Sequence, residues 1–582
     1  MKTYAIDFEC YYDKEVSITT QGYHHYLRDP KCDIYMVAIY SREAGFSFVG
    51  SPSDLDWEQF SKAHFVAHNA SFDKACFERL KELDIVPKSV NPAWDCTADL
   101  AAFLSSGRSL GAASAELLNV TLPKTTRDKM KGKTWLDALN NRMGEELSRY
   151  CLNDAKTSYY LWCSYSTEWT DTEIALSRHT RSMCDRGVFI DRTKLQEGLE
   201  QLGNTLVDAQ LEIPWAGESP PLSPKALREA CAEAGIPAPK SLAADSQECA
   251  AWEERYGEAY PWVDAMRRYR RSNTLLKKLQ TLESRIRPDG TFGYGLKYFG
   301  AHTGRWSGDA GYNVQNLPRT AQFGVDLRSM IIPREGKVFI ISDLGQIEQR
   351  VLSWLAGDNA MMEQLATGIS VYEAHARATM GWDKPDELKH ANPDLYRLAK
   401  ARVLGLGYGA GATVFVQIAK TMAGLDITPN DANRIVSDFR KSNPLITALW
   451  SQLERAFKAN AGHDFTLPLP SGRAVRYRKV LSSPKGFGAS VQGRRVPFFG
   501  GKLAENLTSA TARDVLGEAI LRIENAGYPV VMHVHDEVIV EVDADQAETA
   551  LAEIDKLMTT PPAWLEGLPL TAESFISTHY TK

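Results

Sequence analysis

The sequence predicts a multi-domain α/β protein. Its 582 residues exceed the usual size of one domain, and a hydrophobic fraction of 44% can supply several cores. Strand-like and helical patterns mix over residues 1–165, a mainly helical stretch covers about 170–290, and strands then alternate with helices. We therefore expect a first domain at 1–165 and a larger unit at 166–582.

Composition excludes few classes of function. A formal net charge of −6 is compatible with nucleic-acid binding, because such enzymes concentrate carboxylates at catalytic centres and basic residues in grooves. The basic stretch 267–278 fits a groove or a solvated helix face equally well. Nine cysteines without a C-x-x-C pair predict neither a zinc site nor disulfides. Without a transmembrane-length apolar run or a signal-peptide layout, we expect a soluble cytoplasmic protein with no membrane partner.

Two acids near the N-terminus form the first candidate site. Residues 4–9 have strand composition, and the two-residue period puts Asp7 and Glu9 on the same face. Such a pair is costly near a core unless a cation neutralises it, although a solvated sheet edge would also accommodate it. Farther along, HNASFD at 68–73 ends in a third acid and leads into a helical pattern. Tyr150 and Asp154 are four residues apart and share one helical face.

In this order, the three segments resemble proofreading exonucleases of the DEDD group that carry a tyrosine in the third motif. The resemblance covers residues 1–165 and implies a ribonuclease-H-like fold. It also implies a catalytic Tyr150, which orients the attacking water, and two metal ions bound by Asp7, Glu9, Asp73 and Asp154. Gly132-Lys133-Thr134 resembles the end of a P-loop, but Arg127 stands where that motif needs glycine.

A second candidate site begins at Asp343, where the apolar run 338–343 ends. A helical pattern follows at 346–356, with Gly357 as its stop. A carboxylate at such a strand-to-helix junction lies above a rigid sheet and suits a metal, although an N-capping aspartate would occupy the same place.

Two apolar runs, 530–534 and 538–542, predict a tight hairpin around His535, Asp536 and Glu537. Because hairpin tips ordinarily favour glycine or asparagine, two adjacent acids there indicate chemistry.

A helical stretch at 396–408 completes this second set. Arg397, Lys400, Leu404 and Tyr408 fall within about 80° on one face. Two cations beside flat or apolar groups suit a triphosphate with a base stacked next to it.

These segments together resemble family A DNA polymerases. The matching stretches are DLGQIEQRVLSWLAGD at 343–358, RLAKARVLGLGYG at 397–409 and HVHDEV at 533–538, preceded by HTGRWS at 302–307 and NVQNLP at 313–318. The resemblance spans about 170–582 and implies a right-hand fold, with a thumb at about 190–290, a palm at about 295–358 and 510–582, and fingers at about 359–505.

GGKLAENLTSATARDVL at 500–516 is similar to phage members, as is a start directly at the exonuclease with no preceding 5′-nuclease domain. We therefore expect a monomeric phage replication enzyme that acts on primer-template DNA and deoxynucleoside triphosphates. Replisome partners are not identified by the sequence.

The same resemblance implies residue roles. Asp343 and Asp536 hold two Mg²⁺ or Mn²⁺ ions with Glu537 beside them, as the exonuclease acids hold two more. Lys400 and Arg397 clamp the triphosphate, and Lys400 protonates the pyrophosphate. Tyr408 caps the new base pair, Glu348 excludes ribonucleotides by bulk, and Arg305 contacts the primer end. The other expected substrate-binding residues are Leu404, Gln346, His535 and Ser509.

At four positions this sequence differs from the residues usual in the family: Tyr396, Leu404, Ser509 and His533. Because Ser509 and His533 replace long donors that probe the minor groove, one hypothesis is a preference for purines with an added 2-amino group. Ordinary base choice, with Arg305 or water compensating, is the alternative. Two other functions stay open: a single-subunit RNA polymerase, opposed by Glu348 and the exonuclease unit, and a non-catalytic scaffold, opposed by the intact acids.

Overall fold

The first region of the chain is built on a mixed five-stranded sheet. A computed structural model describes residues 1–123, 125–243, 246–484, 486–491 and 494–582. The strand order is β3-β2-β1-β4-β5, in which β1 pairs antiparallel with β2 and parallel with β4. The strands are β1 (Thr3–Cys10), β2 (Ile34–Ser41), β3 (Phe46–Gly50), β4 (His64–Ala67) and β5 (Ala93–Cys96).

The predicted strand at 4–9 is confirmed as β1, which lies at the centre of this sheet with a neighbour on each side. Its apolar residues Ile6 and Phe8 enter the core, so the intervening acids share the opposite face. The helices of the region are α1 (Ile18–Tyr26), α2 (Ala70–Glu82), α3 (Thr97–Phe103), α4 (Leu110–Ala113), α5 (Thr125–Lys129), α6 (Trp135–Asn140) and α7 (Gly144–Tyr165).

The mainly helical middle region is confirmed. Its long helices α9 and α12 pack against each other, and an aromatic core around Trp252 joins the helices between them. The elements are α8 (Asp171–Arg186), β6 (Val188–Ile190), α9 (Arg192–Leu211), α10 (Pro224–Glu233), α11 (Gln247–Tyr256) and α12 (Pro261–Ser284). Short strands follow: β7 (Thr291–Phe292), β8 (Gly295–Lys297), β9 (Ser307–Asp309) and β10 (Ile331–Ile332).

A four-stranded antiparallel sheet of order β16-β17-β11-β18 forms the largest core of the second unit. Its central strand β11 pairs on both sides with strands from the end of the chain. Helices α21 and α22 cover this sheet. The elements are β11 (Lys337–Leu344), α21 (Gly500–Asn525), β16 (Val530–Val534), β17 (Glu537–Asp543), α22 (Ala547–Thr559) and β18 (Ala572–Ser577).

The described residues between β11 and α21 form eight helices and a second antiparallel sheet of order β12-β13-β14-β15. The helices are α13 (Ile347–Leu355), α14 (Asn359–Ala366), α15 (Val371–Thr379), α16 (Leu388–Ala391), α17 (Pro393–Leu406), α18 (Ala412–Ala423), α19 (Pro429–Ser442) and α20 (Pro444–Ala459). The strands are β12 (Phe465–Pro468), β13 (Ala474–Ser483), β14 (Gly486–Val491) and β15 (Arg494–Pro497).

Two predicted boundaries shift by a few residues. The helix expected at 346–356 is α13, and Gly357, at φ 72°, follows its end as predicted. The helix expected at 396–408 is α17, which begins earlier, at Pro393, because Asn392 caps it and proline suits the first helical position. It ends at Leu406, so Tyr408 lies just beyond the helix.

Ion pairs with buried carboxylates join α8 to both halves of the protein. Arg178 binds Asp95 of β5 at 2.7 Å, and Glu173 pairs with Arg513 of α21. Arg513 also lies 3.2 Å from Asp514, which accepts a hydrogen bond of 2.9 Å from Arg473. Across the described ranges, no helix combines the length and apolar character needed to cross a membrane.

Candidate active sites

The exonuclease-like residues come together at the end of β1. Asp7 and Glu9 lie on β1, Asp73 on α2, and Tyr150 with Asp154 on α7. The Phe8 backbone N–H donates a hydrogen bond of 3.1 Å to Oδ1 of Asp73, which is 1% exposed. The structure thus brings all five predicted residues of this set to one place.

Burial of the carboxylates dominates the electrostatics of this cluster, and repulsion between some of them adds to it. Burial, followed by Asp154, Glu9 and Asp73, raises the pKa of Asp7 well above its ordinary value. Burial raises the pKa of Glu9 to about 7, and it raises the pKa of Asp154 to about 6. Burial also raises the pKa of Asp73. Carboxylates held together in this way favour either a proton or a cation.

Two neighbours of this cluster were missed from the sequence. Arg127 opposes the rise in the pKa of Glu9 and of Asp154 by its positive charge. The Cys151 thiol donates to the Asp7 carbonyl at 3.6 Å, and ligand atoms of Asp7, Glu9 and Cys151 lie within 4.8 Å of one another. Cys151 could have been suspected from its place beside Tyr150. Arg127 had no local signal, because it is distant in the sequence from all four acids of the cluster.

The polymerase-like acids meet where β11 ends beside the β16–β17 turn. Asp343 is directly opposite Glu537 in the β11–β17 register, and the Leu344 N–H donates to the Asp536 carbonyl at 3.1 Å. The tip of the turn is His535-Asp536, with His535 at φ 57°. Glu537, which was expected in the turn, is instead the first residue of β17 because it pairs with Val534.

Burial and the charge of Asp343 raise the pKa of Asp536 to about 6. Burial likewise raises the pKa of Glu537, whose Oε1 accepts a hydrogen bond of 2.8 Å from the Tyr580 hydroxyl. Two close carboxylates with this much repulsion are a suitable donor set for divalent cations, which prefer oxygen ligands.

Lys582 enters this acidic site and was not predicted. Its ammonium lies 3.1 Å from Asp343 Oδ1 and 3.7 Å from Glu537 Oε2. Because HVHDEV at 533–538 is the nearest recognised motif, the sequence near Lys582 gives no signal of such a contact.

Glu348, in the first turn of α13, forms an ion pair with Arg305, whose charge also opposes the rise in the pKa of Asp536. The same carboxylate adds to burial in raising the pKa of Tyr408. A Cβ at Gly501 would lie 2.1 Å from the Tyr408 carbonyl oxygen, so glycine there lets α21 approach Tyr408 closely. The predicted neighbours Arg305, Glu348 and Tyr408 are therefore together.

Helix α17 carries Arg397, Lys400 and Leu404, as expected. Arg397 pairs with Asp394, one turn earlier on the exposed surface. Within the described ranges, no carboxylate forms an ion pair with Lys400. Leu404 packs with the cluster around Tyr372 and Tyr396.

Two other expected substrate-binding residues, Gln346 and His535, lie at the start of α13 and in the β16–β17 turn. Gln346 accepts a hydrogen bond of 2.7 Å at Oε1 from the Val371 N–H, which ties the start of α13 to the start of α15. His535 is exposed at the turn, where partial burial and nearby cations lower its pKa.

Ser509 and His533 are both buried, with exposures of 7% and 1%. The His533 ring packs against Trp306 with centroids 4.5 Å apart. Neither side chain therefore extends far into solvent, and the hypothesis of a preference for purines with an added 2-amino group stays a prediction.

A protein-family comparison adds to this geometry. The model of DNA polymerase family A matches residues 193–582, about two thirds of the chain. The chain belongs to DNA polymerase family A. Its activity is therefore DNA-directed DNA synthesis, which disfavours the RNA polymerase and scaffold alternatives.

Relatives of this polymerase support the assignment. It is 28% identical to the DNA polymerase of Bacillus phage SP02, with 100% of both chains covered. It is 26% identical over 318 residues to DNA polymerase I of Aquifex aeolicus, with 54% of this chain and 50% of that one covered.

A solved structure of the POL domain of Pol1 from M. smegmatis, in complex with DNA primer-template and dNTP, matches this polymerase with a TM-score of 0.70. The match covers 99% of this chain and 95% of that one at 17% identity, and it shows the fold alone. The fold class predicted from the sequence, an α/β polymerase fold preceded by an exonuclease-like region, is confirmed.

Proposed function

We propose that this polymerase also removes nucleotides from the primer 3′ end, and that each of its two sites works with two divalent metal ions, Mg²⁺ or Mn²⁺. One observation carries the proposal: four buried acids converge around the end of β1 with pKa values raised by their burial and mutual repulsion. Such a set is stable when cations neutralise it, and the bound metals would supply stabilisation of the attacking and leaving oxygens.

In the proposed exonuclease site, Asp7, Glu9, Asp73 and Asp154 hold the metals. Tyr150 shares a helical face with Asp154, and its hydroxyl opposes the rise that burial causes in the pKa of that carboxyl. A hydroxyl in this position can orient a water against the primer-terminal phosphodiester. Arg127, which faces the same acids, suits contact with the phosphate that becomes more negative during cleavage.

In the polymerase site, Asp343 and Asp536 hold the metals, with Glu537 as a buried neighbour. Lys400 lacks a carboxylate partner among the described residues and is therefore available to a triphosphate, with Arg397 one turn away. Glu348 and Tyr408 border the sugar and base of the incoming nucleotide, and Arg305 contacts the primer end. Catalysis then rests on positioning and charge neutralisation.

We further propose the division inferred from the sequence: exonuclease at 1–165, thumb at about 190–290, palm at about 295–358 and 510–582, and fingers at about 359–505. The long α9–α12 pair, the β16-β17-β11-β18 sheet and the α13–α20 helices support the last three assignments. The partners are primer-template DNA and deoxynucleoside triphosphates, and the setting is phage replication by a monomer in the host cytoplasm.

The decisive experiment uses a labelled primer-template with a mismatched 3′ end. With Mg²⁺ and no nucleotides, the parent protein should shorten the primer, and with nucleotides it should remove the mismatch and extend. Asp7→Ala with Glu9→Ala should lose shortening by about 10³-fold while retaining extension of a matched primer. Asp343→Ala should show the reverse pattern. Shortening at the parental rate in the double variant would remove the exonuclease assignment.

A further inference from the structure

Lys582 occupies the polymerase site as an internal cation. Its ammonium contacts Asp343 at 3.1 Å and Glu537 at 3.7 Å, and these two acids are direct partners in the β11–β17 register. The Lys582 side chain is 31% exposed, so it reaches the acids from solvent and can leave again.

The segment that carries Lys582 is anchored. Tyr580 is fully buried, and its backbone N–H donates to the Ile331 carbonyl at 2.8 Å. Its hydroxyl donates to Glu537 Oε1 at 2.8 Å, while the Arg328 guanidinium lies 4.8 Å from the centre of its ring. These three contacts fix the position of Tyr580, which is two residues before Lys582. The anchored tyrosine therefore keeps the Lys582 side chain within reach of Asp343.

We propose that Lys582 is a displaceable counter-cation of the polymerase acids, which neutralises Asp343 and Glu537 until a divalent metal ion binds Asp343. This inference rests on the proposed metal-binding role of Asp343. An ammonium at 3.1 Å from one oxygen of that carboxylate repels an arriving metal ion. Metal binding must therefore move the lysine, and the site should bind free metal more weakly than its acids alone would.

Lys582 affects the order in which metal ions and nucleotide bind to the polymerase site. The negative charge of the triphosphate oxygens offsets the charge of a metal ion that binds together with the nucleotide. A free metal ion must displace Lys582 without that compensating charge. The lysine therefore favours entry of metal together with nucleotide over binding of free metal. Once displaced, its ammonium becomes available to solvent or to phosphate oxygens near the primer end.

Direct metal titration tests this displacement. Free Mn²⁺ is measured by electron paramagnetic resonance, without DNA or nucleotide, in a background carrying Asp7→Ala and Glu9→Ala that weakens the exonuclease site. Lys582→Met should bind Mn²⁺ at least about fivefold more tightly, the effect of one unit charge about 4 Å away in water. Lys337→Met is the matched control, since Lys337 is also 31% exposed and pairs with Asp543 at 2.7 Å on the same sheet. This control should leave Mn²⁺ binding unchanged.

A second readout uses the parent side chain and so does not depend on the variant folding. Acetylation of Lys582 by an amine-reactive ester, followed by mass spectrometry, should accelerate severalfold when Mn²⁺ is added, while that of Lys337 stays constant. Equal Mn²⁺ affinities for the Lys582→Met and parent proteins, or an unchanged acetylation rate, would overturn the displacement. Asp343→Ala separates the two ideas: if it retains the polymerase-site Mn²⁺, the proposed metal role of Asp343 fails instead.

Discussion

The guanidinium of Arg305 donates to the carboxylate of Glu348, and this ion pair crosses from the segment after β8 to the first turn of α13. Glu348 is thereby held in one orientation beside Tyr408, whose pKa it helps to raise. A carboxylate fixed in this way can exclude a substrate group by bulk, because it has little freedom to move aside.

We predict that Glu348→Ala increases incorporation of ribonucleotides relative to deoxyribonucleotides by roughly tenfold or more, since a small pocket difference is worth about that factor. The ratio of the two kcat/KM values is the measurement. Glu348→Gln, of nearly equal size, is the control and should keep the parental ratio. An unchanged ratio in Glu348→Ala would show that another group excludes the 2′-hydroxyl.

The acids around β1 predict an unusual dependence of stability on pH without metal. Glu9 has an ordinary pKa of 4.5 and a folded-state pKa of about 7. Its charged form is therefore less favourable in the folded chain, and its contribution lowers the free energy of unfolding as pH rises from 4.5 through 7. At pH 8 in EDTA, Glu9→Gln should raise the melting temperature, with a gain in the free energy of unfolding on the order of 1–3 kcal/mol. At pH 4 the substitution should change the melting temperature little.

Glu15→Gln is the control for this measurement, because Glu15 is exposed nearby on the chain. Added Mg²⁺ should stabilise the parent at pH 8 more than it stabilises Glu9→Gln. A stabilisation by Glu9→Gln that is the same at both pH values would contradict burial of the Glu9 charge as its cause.

The buried network of Glu173, Arg513, Asp514 and Arg473 predicts a large local contribution to stability. Glu173→Ala leaves the Arg513 charge with less compensation in a buried site and should cost about 3–5 kcal/mol. The shift of the urea unfolding midpoint measures it. Glu229→Ala, which removes an exposed ion pair with Lys225 on α10, should shift the midpoint by an amount near zero. Equal shifts for the two variants would argue against the network.

Base selection provides the fourth prediction. Because Ser509 and His533 are buried, we expect His533→Gln to leave the ratio of dATP to 2-aminoadenine triphosphate incorporation opposite thymine unchanged. Competition assays with the exonuclease active and disabled measure that ratio. The variant should instead lower stability, since the His533 ring packs on Trp306. A changed ratio with unchanged stability would instead show that the residue at position 533 influences base choice.

Local patterns predicted the positions of single elements well. Alternation at 4–9 placed β1 and one shared face for Asp7 and Glu9, and apolar runs placed the β16–β17 hairpin. The resemblance grouped the acids of each site, and the structure brings each predicted group together.

Local sequence patterns could not predict contacts between segments that are distant in the chain. Arg127 reaches the acids of β1, and Lys582 reaches Asp343, through folding that no short spacing encodes. Burial was equally hard to foresee. The exposure of the polar residues His533 and Ser509 depends on how Trp306 and the surrounding core pack, which the sequence does not show.

The position of β11 between β17 and β18 has a consequence for biosynthesis. Asp343 leaves the ribosome roughly 10–40 s before Glu537 at a translation rate of 5–20 residues per second. The sheet that holds the polymerase acids therefore closes by pairing of high contact order, a slow step, only after β18 has been synthesised. The strands β1–β5 all lie within the first 96 residues of the chain, and helix α7, which packs on them, ends at Tyr165. This region can therefore fold while synthesis of the rest continues. Nascent chains halted between these points should carry a protease-resistant first region and an open, protease-sensitive second one.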